Sequence, residues 1–224
     1  MKILALEFSS PQRSVAVMAM SGTSSKRVEQ EAIEAGADPN KPFEMIESVL
    51  NQAQIERGEI QGLAIGLGPG SYTGIRSAIA MAQGWQLARN VNLQGISSVE
   101  CMAAQAHGEG IRGRVSIVVD AQRGEFYLAQ YQLDSGWREI SPLRLVSREE
   151  IEAQQAKGDL LVGPEIQNWF PQARTVFPRA ATLGKLAMNR SNYLSGEQVE
   201  PIYLRPSAFL KAPPPRILPD GSPV

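Results

Sequence analysis

The sequence predicts an α/β protein made of two similar halves that face each other across a cleft. The segments ILALEFSSPQRSVAVM and SIVVDAQRGEFYLAQY each place an acid at the end of an apolar strand, followed by a turn and a returning strand. The spacing from Glu7 to Val15 is eight residues, as is the spacing from Asp120 to Leu128. Two unrelated hairpins would produce the same pattern, so the duplication is a hypothesis at the level of the sequence.

The first half, residues 1–110, is predicted to open with a β-hairpin whose turn is rich in Ser and Pro. A polar span then leads to a helix that begins at Pro42, with apolar residues recurring at helical spacing. Residues 63–68 form a compact apolar run typical of a buried strand. The remaining elements predicted for this half are a turn and a long helix over 69–90, a strand over 92–98 and a helix through SVECMAAQA.

The second half, residues 111–224, follows a glycine-rich break, HGEGIRG. Its strand–turn–strand unit is followed by the segment LRLVS, a helix through EEIEAQQAKG, a strand through LLVGP and a helix through ATLGKLAMNR. The C-terminal tail, APPPRILPDGSPV, has too many prolines for a ladder or a helix and is predicted to be extended or disordered.

Composition is that of an ordinary globular protein, with 43% hydrophobic and 20% charged residues among 224. The 22 Lys and Arg residues balance 23 acids, so no broad positive field can gather a polyanion such as a nucleic acid, and any RNA contact must be local or come through a partner. A single cysteine, Cys101, excludes an internal disulfide and fits a reducing cytosol. It lies in an apolar run and is predicted to be buried.

The N-terminal sequence predicts a cytoplasmic protein. Glu7 follows a very short apolar run, so the apolar core of a secretory signal is missing. No stretch approaches the roughly 20 apolar residues that span a bilayer. We therefore expect no membrane partner.

The segment GLGPGSYTGIRSAIAMAQG carries the most information, because each of its small residues has a physical reason. Pro69 and Gly70 favour a tight turn after the buried strand. Ser71 or Thr73 can cap the long helix, and Gly74 allows another backbone to come close.

This segment resembles a phosphate-binding loop only in part. A Walker loop requires Lys and Ser or Thr after its second glycine, whereas Ile75 and Arg76 stand here. The GxGxxG pattern fails as well, because Ser71 follows Gly66 and Gly68 at the position of the third glycine.

A nucleotide could still bind in the predicted cleft, with turn amides on phosphates and acids on a metal ion. Glu7 and Asp120 are the two acids whose placement suits this role. The alternative is structural, with both acids capping the turns that follow their strands. The candidate cleft residues are Glu7, Ser9, Ser10, Gly68, Gly70, Ser71, Thr73, Asp120 and Gly124.

The long helix is apolar on two sides, so one stripe can face the core while the other requires separate cover. Gly74 and Ala78 would let a partner helix approach closely. We therefore predict an interface that includes the helix from Pro42; burial inside the same domain is the alternative. The candidate partner surface consists of Phe43, Ile46, Leu50, Gly74, Ala78, Met81 and Trp85.

Histidine usage argues against hydrolytic or metal chemistry. The single histidine, His107, cannot form a His-x-x-x-His metal site, and a Ser-His-acid or Cys-His relay would have to use that same residue. We therefore predict no catalytic residues, no metal site and no peptidase activity.

Five segments together resemble the TsaB/YeaZ family: ILALEFSS, GLGPGSYTGIRSAIAMAQG, QGISSVECMA, VVDAQRGEFYLAQY and PIYLR. The resemblance implies a duplicated actin-like (ASKHA, ribonuclease H-like) fold that dimerises through the two helices discussed above. Family members usually end the first strand in Asp, where this chain has Glu7, and often carry a His that the span GADPNKPFE lacks.

The resemblance also implies a role. The chain would be a non-catalytic scaffold in the synthesis of N6-threonylcarbamoyladenosine in tRNA, supporting a TsaD-like catalytic paralogue together with a TsaE-like ATPase. tRNA would be reached only through the complex, no cofactor would be tightly bound, and ATP or ADP would bind only at the interface of the assembled complex. Alternatives are a small-molecule phosphotransferase or ATPase of the same fold, and a stand-alone homodimeric module.

Overall fold

The computed structural model describes residues 1–20, 27–36 and 41–205. The proline-rich tail, and with it the prediction made for it, lies outside these residues. The strands are β1 (Lys2–Glu7), β2 (Gln12–Met20), β3 (Arg27–Ala35), β4 (Gly62–Gly66), β5 (Asn92–Ile96), β6 (Gly113–Asp120), β7 (Glu125–Leu133), β8 (Trp137–Ser147), β9 (Leu160–Gly163) and β10 (Arg174–Thr175). The helices are α1 (Lys41–Ala53), α2 (Tyr72–Arg89), α3 (Ser98–Gly108), α4 (Arg148–Ala156) and α5 (Ala180–Met188).

The strands form two five-stranded sheets with the same topology. The first has the order β3-β2-β1-β4-β5, and the second has β10-β9-β6-β7-β8, which is the same order read from the other edge. In both sheets the central strand pairs antiparallel with the next strand in sequence and parallel with the fourth strand of its half. The internal duplication predicted from the two hairpins is therefore confirmed.

Successive side chains along the central strands point alternately into two apolar layers, because both faces of each sheet are covered. Leu4 and Leu6 of β1 point into the core shared with α1 and α2, whereas Ile3 and Ala5 point into the core shared with α5. The outer face of the second sheet, including Phe126, packs against Ile151 of α4. The helices α1 and α2 thus cover one outer face of the molecule and α4 covers the other.

Helices α3 and α5 lie between the sheets, and each packs on the sheet of the other half. Helix α3 follows the first sheet in sequence, yet Val99, Met102 and Ala106 pack into the core of the second sheet. Helix α5 follows the second sheet, yet Leu183 and Ala187 pack against the first. The division into 1–110 and 111–224 stays a prediction, because one helix from each side of it packs on the sheet of the other half.

The two halves differ after their fourth strand. In the first half, β4 leads into the eighteen-residue helix α2. In the second half, β9 leads only into a three-residue 3₁₀ turn, Ile166–Asn168. The outer face of the second sheet is therefore covered by one long helix fewer than the outer face of the first sheet.

Most predicted elements are present, but β3 is a strand where the sequence shows only a polar span. It lies at the edge of its sheet, and Glu29, Glu31 and Glu34 along it make ion pairs with Lys185, Arg179 and Lys41. Charged side chains are common on edge strands and hide the apolar alternation of a buried strand. Within the described residues, no helix has the length and apolar character needed to cross a bilayer.

Candidate functional site

A cleft of about 660 Å³ opens between the turns of the two hairpins. From the first half, the β1–β2 turn and the start of α2 line it; from the second, the β6–β7 turn and the residues after β9 do so. Five of the predicted cleft residues line this space: Ser9, Ser10, Gly70, Ser71 and Asp120. Glu7, Gly68, Thr73 and Gly124 are not among the lining residues.

The glycines of the loop between β4 and α2 serve close packing against the end of β1. A Cβ atom on Gly70 would lie 2.0 Å from the carbonyl oxygen of Ser9, and one on Gly74 would lie 2.1 Å from that of Phe8. Gly70 also has φ +147°, which disfavours any L side chain. The predicted close backbone approach at Gly74 is therefore confirmed, and the approaching backbone belongs to the same chain.

Backbone amides of this loop donate to acceptors inside the protein. The Ser71 amide donates to the Ser9 carbonyl at 2.7 Å, and the Gly74 amide donates to Ser71 Oγ at 3.3 Å. Ser71 rather than Thr73 is therefore the helix cap. The Gly68 amide donates to Ser98 Oγ at 3.1 Å. A phosphate loop needs such amides directed at its ligand, and these three are already engaged.

Glu7 is fully buried and does not face the cleft, which contradicts its prediction as a cleft acid. Its Oε1 accepts the Ser9 amide at 2.8 Å, and its Oε2 accepts the Ser98 hydroxyl at 2.9 Å. A Cβ on Gly66 would lie 2.1 Å from the carboxylate, so a glycine must stand beside it. Burial raises the pKa of Glu7, while the hydrogen bonds from Ser9 and Ser98 act in the opposite direction.

Asp120 occupies the equivalent strand end in the second half and does line the cleft. Its Oδ1 accepts the amide of Gln122 at 2.7 Å, the residue two positions on, as Glu7 accepts that of Ser9. Both strand-end acids therefore cap the turns that follow them, which was the structural alternative. They cannot act as two facing metal ligands across the cleft, since one of them is enclosed in the first half.

Two tyrosines stand at the mouth of the cleft, and the sequence analysis missed both. Tyr72 and Tyr203 are 60% and 53% exposed, with ring centroids 6.0 Å apart. The Arg76 guanidinium lies 5.1 Å from the centre of the Tyr72 ring and donates to its hydroxyl at 3.1 Å. Tyr203 follows the last described helix by fifteen residues, so no local pattern predicts that it meets the start of α2.

The predicted partner surface is wrong at four of its seven residues. Ile46 and Leu50 point from α1 into the core, and Gly74 and Ala78 do so from α2. Phe43 is 61% exposed, and Met81 and Trp85 are partly buried against the same core. The error has a simple cause: the stripe judged to need separate cover is the one that meets β1 and its neighbours.

The surface that α2 presents outward lies elsewhere on the helix. Ala80, Gly84, Leu87 and Ala88 are exposed and recur at helical spacing; we call them the outer α2 face. Leu87 is 89% exposed, and a Cβ added to Gly84 would meet no atom within 4 Å. Beyond Thr73 and Arg76 at its N-terminal end, the exposed residues of this face are apolar or glycine.

Among residues 1–20, 27–36 and 41–205, no three acids, histidines or cysteines come close enough together to hold a metal ion. His107 lies in the last turn of α3, with Nε2 3.0 Å from the Asp134 carbonyl oxygen. Cys101 is buried, as predicted, and donates to the Arg179 carbonyl at 3.4 Å. Burial raises the pKa of its thiol well above the ordinary value, so it is a poor nucleophile.

Comparison with known proteins gives consistent matches along the chain. The family model described as "TsaD: tRNA N6-adenosine threonylcarbamoyltransferase" matches residues 42–203. The tRNA threonylcarbamoyladenosine biosynthesis protein TsaB of Escherichia coli is 29% identical over 76% of this chain and 81% of its own length. TsaB of Haemophilus influenzae is 28% identical over 77% of this chain and 81% of its own length.

Among solved structures, YeaZ from Pseudomonas aeruginosa superposes with a TM-score of 0.77 at 24% identity, covering 91% of this chain and 99% of its own. That likeness shows the fold and confirms the predicted duplicated actin-like architecture. Taken with the sequence matches, it shows that the chain belongs to the TsaB/YeaZ family, within the group that the TsaD family model describes.

Proposed function

We propose that this chain is a non-catalytic subunit of the machinery that makes N6-threonylcarbamoyladenosine in tRNA, and that it pairs through the outer α2 face with a TsaD-like catalytic paralogue. The names of its curated relatives support the pathway. The observation that carries the pairing is the outer α2 face itself, on which Leu87 is 89% exposed.

An apolar helix face of this kind favours association. Burying a large aliphatic side chain contributes roughly 1.5–3 kcal/mol. Small residues at Ala80, Gly84 and Ala88 allow another helix to come close beside Leu87. Phe43, on the neighbouring helix α1, adds an exposed ring to the same outer side of the first sheet.

The cleft supports a non-catalytic role. The Ser9, Gly68 and Ser71 amides donate to acceptors within the chain, and Glu7 is enclosed, so none of these groups is directed at a phosphate or a metal ion. The alternative function, a small-molecule phosphotransferase or ATPase, required Glu7 and Asp120 to face each other across the cleft, and Glu7 does not face it. In the proposed complex, ATP or ADP and a TsaE-like ATPase act only after the chain has joined its paralogue.

The pairing is tested with two matched alanines. Ala80→Arg alters the outer α2 face, and Ala153→Arg places the same side chain on the exposed face of α4 on the opposite side of the molecule. We expect both variants to retain the wild-type circular dichroism. Only Ala80→Arg should lose co-purification with the TsaD-like paralogue and fail to restore threonylcarbamoyladenosine in a complementation assay.

Two outcomes would contradict the proposal. If Ala80→Arg folds and still pairs, the interface lies elsewhere. If calorimetric titration of the isolated chain with ATP and Mg²⁺ shows binding with turnover, the phosphotransferase alternative gains and the scaffold role fails.

A further inference from the structure

A second concave surface lies on the outer face of the second sheet, remote from the outer α2 face. It has a volume of about 300 Å³. We call it the Trp169 groove and define it by Arg148, Glu152, Gln155, Trp169, Phe170 and Gln172. Helix α4 forms one wall, and the segment after the 3₁₀ turn forms the other.

The groove exists because the second half lacks a counterpart of α2. In the first half, α1 and α2 lie together over the outer face of the sheet. In the second half, α4 covers that face with only the turn Ile166–Asn168 and the two aromatic residues after it. The space that a long helix fills in one half is therefore left as a groove in the other.

Aromatic rings pack at and beneath the surface of the groove. The Phe126 ring lies 5.6 Å from both Trp169 and Phe170 in edge-to-face geometry. The Arg148 guanidinium lies 5.5 Å from the centre of the Phe170 ring and bonds Glu152 at 2.9 Å. Phe170 is buried, but Trp169 remains 39% exposed and offers a large flat ring with one N–H donor.

We propose that the Trp169 groove binds the proline-rich tail of the same chain, at residues 212–219. The sequence there is APPPRILP. Consecutive prolines adopt the extended polyproline II conformation at little entropic cost, and aromatic-lined grooves are the usual receptors for such segments. Polyproline II has no internal hydrogen bonds, so its carbonyls take donors from the groove, here the Trp169 indole and the Gln155 and Gln172 amides.

The described part of the chain ends close to this groove. Arg205 ends the described residues at the tip of the β6–β7 hairpin, where it bonds the Ala121 and Gln122 carbonyls at 3.1 and 3.3 Å and Glu125 at 2.6 Å. Phe126, whose buried ring contacts Trp169 and Phe170 of the groove, is the residue next to Glu125.

A short spacer suffices from that point. Residues 206–212 separate Arg205 from the first of the three prolines, and about 3.1 Å per residue in polyproline II gives a reach of roughly 22 Å. Ser147, which pairs with Glu125 across the β7–β8 ladder, immediately precedes Arg148 of the groove. The ion pair of Arg205 with Glu125 thus lies one residue from Phe126 and across the ladder from the start of the α4 wall.

Bimane fluorescence on the full-length chain tests this contact, because a tryptophan quenches the dye only when they touch. Leu218→Cys places the label in the tail, and it is the only accessible thiol because Cys101, the single cysteine of the natural sequence, is buried. We expect quenched emission that recovers in the Trp169→Phe background and when the three prolines 213–215 are replaced by glycine. A label at exposed Asn51→Cys, on α1, should not respond to Trp169→Phe.

A second measurement does not depend on replacing the tryptophan. Gln172→Cys combined with Leu218→Cys should form an intramolecular disulfide that mass spectrometry detects, whereas Asn51→Cys with Leu218→Cys should not. Emission that is unquenched, or that ignores Trp169→Phe, together with absence of the Gln172 disulfide would overturn the proposal. Quenching that disappears on dilution, with disulfides joining two chains, would overturn it in favour of a tail exchanged between copies.

Discussion

Replacement of Glu7 by Gln should change how the stability of this protein depends on pH. The buried carboxylate accepts the Ser9 amide and the Ser98 hydroxyl, and burial raises its pKa above the ordinary value of 4.5. The folded chain therefore holds the proton more tightly than the unfolded chain. The stability contributed by this proton is fully present below pH 4.5 and is lost as the pH rises toward the raised pKa.

The size of the effect follows from linkage. One proton bound by the folded state alone changes the free energy of unfolding by about 1.4 kcal/mol per pH unit. The Glu7→Gln side chain is neutral at every pH and nearly the same shape, so the variant lacks this loss. The difference in free energy of unfolding, variant minus wild type, should therefore rise by about 1.4 kcal/mol per pH unit between pH 4.5 and the raised pKa of Glu7. Above that pKa the difference should stay constant.

Urea denaturation of both proteins, at a series of pH values from about 4.5 to 8, measures the difference directly. Titration of other carboxylates, such as Glu59 and Glu150 with their lowered pKa, cancels in the comparison. A difference that does not vary with pH would refute the reasoning. Ser98→Ala gives an independent check, because loss of its hydroxyl raises the pKa of Glu7 further and extends the fall in stability to higher pH.

Three further predictions concern packing and metal content. Gly74→Ala should lower the free energy of unfolding by about 1–3 kcal/mol, since its Cβ would lie 2.1 Å from the Phe8 carbonyl, whereas Gly84→Ala, with open space around it, should raise it by up to about 1 kcal/mol; thermal melts distinguish them. Ala78→Arg should give insoluble or unfolded protein by circular dichroism, because Ala78 is fully buried; a folded variant would mean that this stripe of α2 faces outward. Purified protein should contain less than one equivalent of zinc or iron by elemental analysis and keep its melting temperature in EDTA, because the described residues contain no cluster of metal ligands; a stoichiometric metal would contradict this.

The repeated hairpin was readable in the sequence because it is a local pattern. An apolar strand, an acid, a short turn and a returning strand occupy sixteen consecutive residues in each half, and the two sheets do share one topology. Parts of the loop between β4 and α2 could also be predicted, because a tight turn, a helix cap and a close backbone approach depend on small residues at fixed spacing. Ser71 caps α2, and Gly74 meets a backbone carbonyl, as their types suggest.

What the sequence alone could not settle is which neighbour each of these residues meets. Glu7 and Asp120 look alike in sequence and cap equivalent turns, but Glu7 is enclosed and bonded by Ser98, ninety-one residues away, whereas Asp120 lines the cleft. Ala78 and Leu87 are both apolar residues of α2, and the position of the first sheet decides that Ala78 faces inward and Leu87 outward. Helical and strand periodicity depend on neighbours along the chain, whereas burial depends on contacts between distant segments, and only the tertiary structure sets those.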